Sequence, residues 1–74
     1  MSYKEQRELE GLPGEIEALE REQGELNARM SSAEYHRAGA QAMKDDSKRA
    51  EEIEALLLTK FERWAALEEA RNKA

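Results

Sequence analysis

Apolar residues recur at alternating spacings of three and four through the first half of the chain. The series is Leu9, Leu12, Ile16, Leu19, Gln23, Leu26 and Met30, with Gln23 as its polar member. This is the a/d pattern of a heptad repeat, in which one stripe of a helix is buried against a partner helix. A second series in the same frame is Met43, Asp46, Ala50, Ile53, Leu57, Lys60, Trp64 and Leu67. The pattern predicts two amphipathic helices that share one apolar seam.

Turn-forming residues lie between the two series, among them Ser31, Ser32 and Gly39. Two amphipathic helices joined by a short connection pack side by side and antiparallel. When a positions meet d positions in such a pair, Leu12 faces Trp64. The sequence therefore predicts an all-α fold, an antiparallel two-helix coiled-coil hairpin that forms a single domain over residues 1–74.

Helix-breaking residues interrupt the segment before this seam. Ser2 followed by Glu5 is a capping-box pattern that starts a helix at Tyr3. Gly11 suits the end of that helix, and Pro13 suits the first turn of another. A kinked segment and a separate short N-terminal helix stay open as alternatives. The predicted elements are a short helix at about 3–10, a long helix at about 13–31, a turn at about 32–39 and a long helix at about 40–72.

Composition excludes most chemical functions for this chain. It has 74 residues and no cysteine, so neither a disulfide scaffold nor a thiolate metal site is available. His36 is the only histidine, and no phosphate-binding G-x-x-x-x-G-K-[ST] loop occurs. A two-helix hairpin also lacks the cleft in which paired carboxylates acquire different pKa values. We expect no enzyme activity, no small-molecule substrate and no metal or cofactor in this domain.

Membrane insertion is not expected either. The longest apolar runs, residues 55–58 and 64–67, are far shorter than the roughly 18 to 20 residues that a membrane span needs. The amino terminus has no signal-type hydrophobic stretch. We expect a cytoplasmic protein.

Charge is distributed unevenly along the chain. The net charge is −5, but residues 29–49 contain five basic and three acidic residues, which gives +2. This region includes the turn, so the hairpin is expected to have a basic tip on an acidic shaft. The candidate phosphate contacts at the tip are Arg29, Arg37, Lys44, Lys48 and Arg49. The ordinary interpretation of a helix charge is a solvated face with i,i+4 ion pairs, and four acid-first pairs occur: Glu17/Arg21, Glu25/Arg29, Asp45/Arg49 and Glu69/Lys73.

Two blocks of the sequence resemble a known family. The start, Ser2-Tyr3-Lys4-Glu5-Gln6 with Leu12-Pro13, is similar to the first residues of the carboxy-terminal coiled coil of Uup-like ABC-F ATPases. The block at residues 61–68, FERWAALE, is similar to the end of that domain's last helix. The turn departs from the family pattern, which often has an Asp-Pro followed by an aromatic pair; here the residues from Ser31 to Tyr35 stand in that place, and only the tyrosine is kept.

The resemblance implies that the chain is the last domain of a longer cytoplasmic protein. Its ATP-binding cassettes, with their ATP and magnesium, would lie upstream. In that family the coiled coil is regarded as a nucleic-acid-binding appendage, and ABC-F proteins act on ribosomes. The expected partner is therefore DNA or ribosomal RNA, bound without sequence preference. By motif position, Lys4 and Arg7 are carried over as contacts to the nucleic-acid backbone.

An alternative function belongs to a different class. The hairpin could serve as a protein-interaction or dimerisation coiled coil with no nucleic-acid contact. Leu56 and Phe61 favour this alternative because they flank the seam and are expected to stay partly exposed after the hairpin closes. Self-association as a homodimer would also help a domain with so few buried layers.

Overall fold

The computed structural model describes residues 1–73, so the last residue of the predicted domain, Ala74, lies outside the described part. Helix α1 spans Tyr3–Met30, a short 3-10 helix spans Tyr35–Ala38, and helix α2 spans Ala40–Lys73. The two long helices pack antiparallel as a hairpin that measures 54 × 16 × 15 Å. The all-α hairpin predicted from the heptad pattern is confirmed.

Helix α1 is continuous through Pro13, so the separate helix at about 3–10 is absent. The helix begins with the predicted capping box, in which the hydroxyl of Ser2 accepts from the backbone N–H of Glu5 at 3.1 Å. Proline inside a helix costs about 3 kcal/mol. Burial of Leu9 and Leu12 on the seam contributes about 1.5–3 kcal/mol each. These contacts lie on the N-terminal side of the proline, and their packing on α2 offsets its cost.

The buried seam is built from the residues of the two heptad series. One cluster of buried side chains contains Leu9, Leu12 and Leu67, and Trp64 packs against it. Trp64 therefore packs against the cluster that contains Leu12, at the end of the seam where the pairing of a with d positions places it. The other cluster lies nearer the turn and consists of Ile16, Leu26, Ile53 and Leu57, with Leu19, Met30, Ala50 and Trp64 packed around it.

Ion pairs join α1 to α2 along one edge of this seam, which we call the ion-paired edge. It consists of Glu8–Arg63, Glu15–Lys60, Glu22–Arg49 and Arg29–Asp46, with N to O distances of 2.7, 2.8, 2.6 and 2.8 Å. Lys60 is a seam residue whose stem is largely covered and whose ammonium group reaches the edge. The ion-paired edge runs from the tip to the open end of the hairpin.

Neither α1 nor α2 contains a stretch of residues apolar and long enough to cross a membrane.

Candidate nucleic-acid interface at the hairpin tip

The chain reverses direction in a compact tip between α1 and α2. Backbone hydrogen bonds from Ser31 to Asn27 and from Ser32 to Arg29 end α1, at 3.0 and 3.2 Å. The 3-10 helix then leads to Gly39, whose φ of 93° lies in the region that favours glycine. Helix α2 starts at the next residue. The tip therefore places the end of one long helix beside the beginning of the other.

Tyr35 and Asp46 hold the tip together. Tyr35 is buried, and its hydroxyl donates to Asp46 Oδ2 at 3.0 Å. Asp46 also accepts two hydrogen bonds from the Arg29 guanidinium, at 2.8 and 3.2 Å. These bonds from Arg29, with that from Tyr35, lower the pKa of Asp46 below its ordinary value. Burial raises the pKa of Tyr35, and its bond to Asp46 acts in the same direction. Arg29 is thus engaged within the fold.

Arg49 is engaged in the same way. Its guanidinium donates to both carboxylate oxygens of Glu22 across the seam, at 2.6 and 2.7 Å, and it also pairs with Glu52. The hydrogen bond from Arg49 lowers the pKa of Glu22, and the bond to Glu22 raises the pKa of Arg49. The planar guanidinium of Arg49 and the carboxylate of Glu22 thus form a bidentate contact, which is the strongest arrangement for this kind of ion pair.

The i,i+4 pattern predicted other partners for these two arginines. That pattern pairs Arg29 with Glu25 and Arg49 with Asp45, whereas in the structure both guanidinium groups bind a carboxylate of the other helix. The exposed pairs Glu17/Arg21 and Glu69/Lys73 do form, at 3.3 and 2.9 Å. The sequence does contain a signal for the Glu22–Arg49 pair. Both residues directly precede seam residues, so both lie on the same edge of an antiparallel helix pair.

Three of the predicted tip residues remain accessible. Arg37 lies in the 3-10 helix, and Lys44 and Lys48 lie one turn apart on α2. All three are exposed, and none has an ion-pair partner within residues 1–73. Exposed Glu34 and Asp45 share this end, so three unpaired cations face two acids, a balance of +1. The accessible tip is therefore less basic than the +2 counted from the sequence.

The N-terminus of α2 adds to the positive potential of the tip. Its first turn contains no acidic residue, and the first backbone N–H groups of a helix have no partner within the helix. The partial positive charge there attracts anions within about one turn. Lys44 directly follows this turn, so the helix end and the lysines act on the same region.

Lys4 and Arg7 lie far from the tip, near the start of α1. The rise of an α-helix separates Lys4 from Arg29 by about 38 Å. Arg7 donates to the hydroxyl of Tyr3 at 3.3 Å, and its guanidinium carbon lies 5.9 Å from the centre of that ring. The fold therefore places the seven predicted residues at two opposite ends of the hairpin. Contact with a phosphate stays a prediction at either end.

A family model described as the ABC transporter C-terminal domain matches residues 1–69. The chain belongs to this family. Two curated proteins of Haemophilus influenzae are similar to it. An ATP-binding protein Uup-like is 39% identical over 74 residues, and an ATP-binding protein Uup is 39% identical over 72 residues. The resemblance to the carboxy-terminal domain of Uup-like ABC-F proteins is confirmed.

The matches cover 100% and 97% of this chain but only 16% and 11% of the two relatives. The chain thus spans less than a fifth of their length. No solved structure matches the chain. For this C-terminal domain, the hairpin geometry is therefore the basis on which a function is inferred.

Proposed function

We propose that this C-terminal domain binds nucleic acid, DNA or ribosomal RNA, through phosphate contacts made by the tip of its hairpin. The observation that carries the proposal is the grouping of Arg37, Lys44 and Lys48 at one end of the rod. Each is exposed and has no ion-pair partner within the described residues. Unpaired cations release phosphate counterions on binding, and this release is the sequence-independent source of affinity.

Arg29 and Arg49 have a supporting role in this proposal. Both form bidentate contacts to carboxylates of the hairpin, at 2.6–3.2 Å. A phosphate would have to replace a bound carboxylate to reach Arg49, whose three guanidinium nitrogens all donate to glutamates, and it would share the charge of Arg29 with Asp46. They keep α1 and α2 in register near the tip, and so they fix the position of the free cations.

The binding is expected to be weak and strongly dependent on salt. Three phosphate contacts give a slope of about −2.7 for the logarithm of the binding constant against that of salt concentration. Raising salt from 50 to 200 mM would then weaken binding to duplex DNA by about 40-fold. The shaft is acidic, so the nucleic acid is expected to meet the end of the hairpin rather than lie along it.

The test compares two double variants in salt titrations with duplex DNA and structured RNA. Lys44→Gln with Lys48→Gln removes two tip cations, while Lys4→Gln with Arg7→Gln removes two cations from the far end. Both variants lose the same charge. The tip variant should flatten the slope by about 1.8, and the far-end variant should leave it unchanged.

Two outcomes would contradict the proposal. Absence of binding to either nucleic acid at 50 mM salt would remove it altogether. A flatter slope in the Lys4 and Arg7 variant alone would place the contact at the open end, as the resemblance implies, and not at the tip.

The proposal also includes the location of the domain in the cell and the protein to which it belongs. We infer that the domain operates in the cytoplasm as an appendage of an ATP-binding cassette protein, with ATP and magnesium bound by the cassettes and not by this domain.

A second function, the docking of another protein, is favoured by a separate observation. Phe61 is 43% exposed and lies beside the seam on the edge opposite the ion pairs, whereas Leu56, which is 37% exposed, lies on the ion-paired edge.

A further inference from the structure

The two edges of the hairpin differ in chemistry. The ion-paired edge is closed by contacts between α1 and α2. On the opposite edge, which we call the open edge, the register places Pro13, Glu20, Glu54, Phe61 and Glu68. Within residues 1–73 no ion pair joins the helices there. The side chains of this edge are therefore available to a partner.

An apolar stripe runs along the open edge of α2. Leu58 is 62% exposed, Phe61 is 43% exposed, and Ala65 is also exposed. The Phe61 and Trp64 rings lie 6.5 Å apart between centroids, so the stripe continues onto the wall of a groove. That groove has a volume of about 390 Å³ and is lined in part by Met1, Leu9, Pro13 and Trp64.

The spacing of the stripe matches that of a helix-docking surface. Leu58, Phe61 and Ala65 are separated by three and four residues, the same spacing as the buried seam but on the outside of α2. Buried seams of this kind hold a partner helix. The hairpin thus presents a second, short seam that neither of its own helices covers.

Three carboxylates that are unpaired within residues 1–73 lie before and beside the stripe. Glu51 and Glu54 lie before it on the same face, and together with Ala55 and Leu58 they line a shallow depression. Glu62 lies beside Phe61. None of these three glutamates has an ion-pair partner in the described part of the chain. A ligand of this surface would need an apolar centre and positive flanks.

A second copy of the chain does not meet that requirement. An antiparallel pair centred on Leu58 and Phe61 would put Glu51 of one copy beside Glu68 of the other, and the cation nearest to Glu68, Arg71, is already paired with it. A parallel pair would put each glutamate beside its own counterpart. Like charges placed opposite each other are destabilising in both cases. The same carboxylates repel nucleic acid from this edge.

We propose that the open edge binds an amphipathic helix of another polypeptide, with apolar residues at its centre and lysine or arginine on both sides. The apolar residues pack on Leu58, Phe61 and Trp64, while the basic residues meet Glu51, Glu54 and Glu62. This surface shares no residue with the tip. The domain therefore has two separate binding regions, one for polyanions and one for a basic helix.

The experiment titrates the domain with two synthetic helical peptides that share the same leucine positions. One carries lysine at its polar positions and the other carries glutamate. Trp64 is the only tryptophan, so its fluorescence reports binding at the groove. The lysine peptide should bind at least ten-fold more tightly at 50 mM salt, and 1 M salt should reduce that preference because charges are then screened over about 3 Å.

Two leucines on opposite edges of α2 supply a matched pair of variants. Leu58→Ser should weaken binding of the lysine peptide at least ten-fold, since burial of one leucine is worth about that much. Leu56→Ser, on the ion-paired edge, should change it less than two-fold. Both residues are partly or largely exposed, so circular dichroism should show both variants folded.

Three results would overturn the inference. They are equal affinity for the two peptides, equal effects of the two leucine substitutions, and a dimer in sedimentation that Leu58→Ser dissolves. The last result would identify a second copy as the occupant. Because the tip residues are untouched, nucleic-acid titration of the same variants separates failure of this inference from failure of the proposed function.

Discussion

Replacement of Ile53 by alanine tests whether the single seam holds the hairpin together. Ile53 is 0% exposed and lies in the cluster with Ile16, Leu26 and Leu57. The substitution removes three carbon atoms, worth about 2.4 kcal/mol at about 0.8 kcal/mol each. The cavity left behind raises the cost, and measured losses for such changes are about 2–5 kcal/mol. A narrow seam can partly close, so we expect about 3 kcal/mol.

This loss is large for so small a domain. At about 0.05–0.15 kcal/mol per residue, the whole chain has a stability of about 4–11 kcal/mol. A loss of about 3 kcal/mol should lower the midpoint of thermal unfolding by about 12–24 °C. The assay is urea unfolding followed by circular dichroism at the helix band, with thermal unfolding as a second measurement.

Leu58→Ala is the matched control, because Leu58 lies on the same helix and is 62% exposed. Alanine is at least as good a helix former as leucine, so the free energy of unfolding should change by less than about 0.5 kcal/mol. A loss below about 1 kcal/mol for Ile53→Ala, or equal losses for both variants, would show that the buried seam does not govern stability.

Three further predictions concern the tip, the proline and the ion-paired edge. Gly39→Ala should destabilise the hairpin by about 1–3 kcal/mol in urea unfolding, because Gly39 has a positive φ. Gly24→Ala, which has open space around it in α1, should instead stabilise the hairpin by about 0.5–1 kcal/mol. Equal effects of the two substitutions would contradict this reasoning. Pro13→Ala should restore a backbone hydrogen bond and raise stability by about 1–3 kcal/mol, and a loss would show that the ring supports the groove. The hydrogen bond from Arg49 lowers the pKa of Glu22 on folding, from an ordinary value of 4.5. The stability that this ionised carboxylate contributes is lost when it is protonated, so the midpoint of thermal unfolding should fall as pH drops through 4.5 and below. Arg49→Gln should flatten that acid dependence, and an unchanged pH profile would contradict the role of the pair.

The heptad spacing is sufficient to determine the fold of this protein. Two apolar stripes and a short polar connection allow few arrangements, and the pairing of a with d positions placed Trp64 at the end of the seam that contains Leu12. Such patterns are readable in sequence because a helix has a fixed period, so spacing along the chain becomes position around the axis. The family also was readable from two short blocks at the ends of the domain.

The tertiary structure decided which charges are free and whether the first helix breaks. Arg29 and Arg49 have local acidic neighbours in sequence, yet each binds a carboxylate on the other helix, because the hairpin brings bidentate partners within reach. Pro13 argues locally for a helix end, yet the packing of Leu9 and Leu12 on α2 keeps one helix. In each case local preferences are worth a few tenths to about 3 kcal/mol, and the energy that overrides them comes from contacts between residues far apart in the chain.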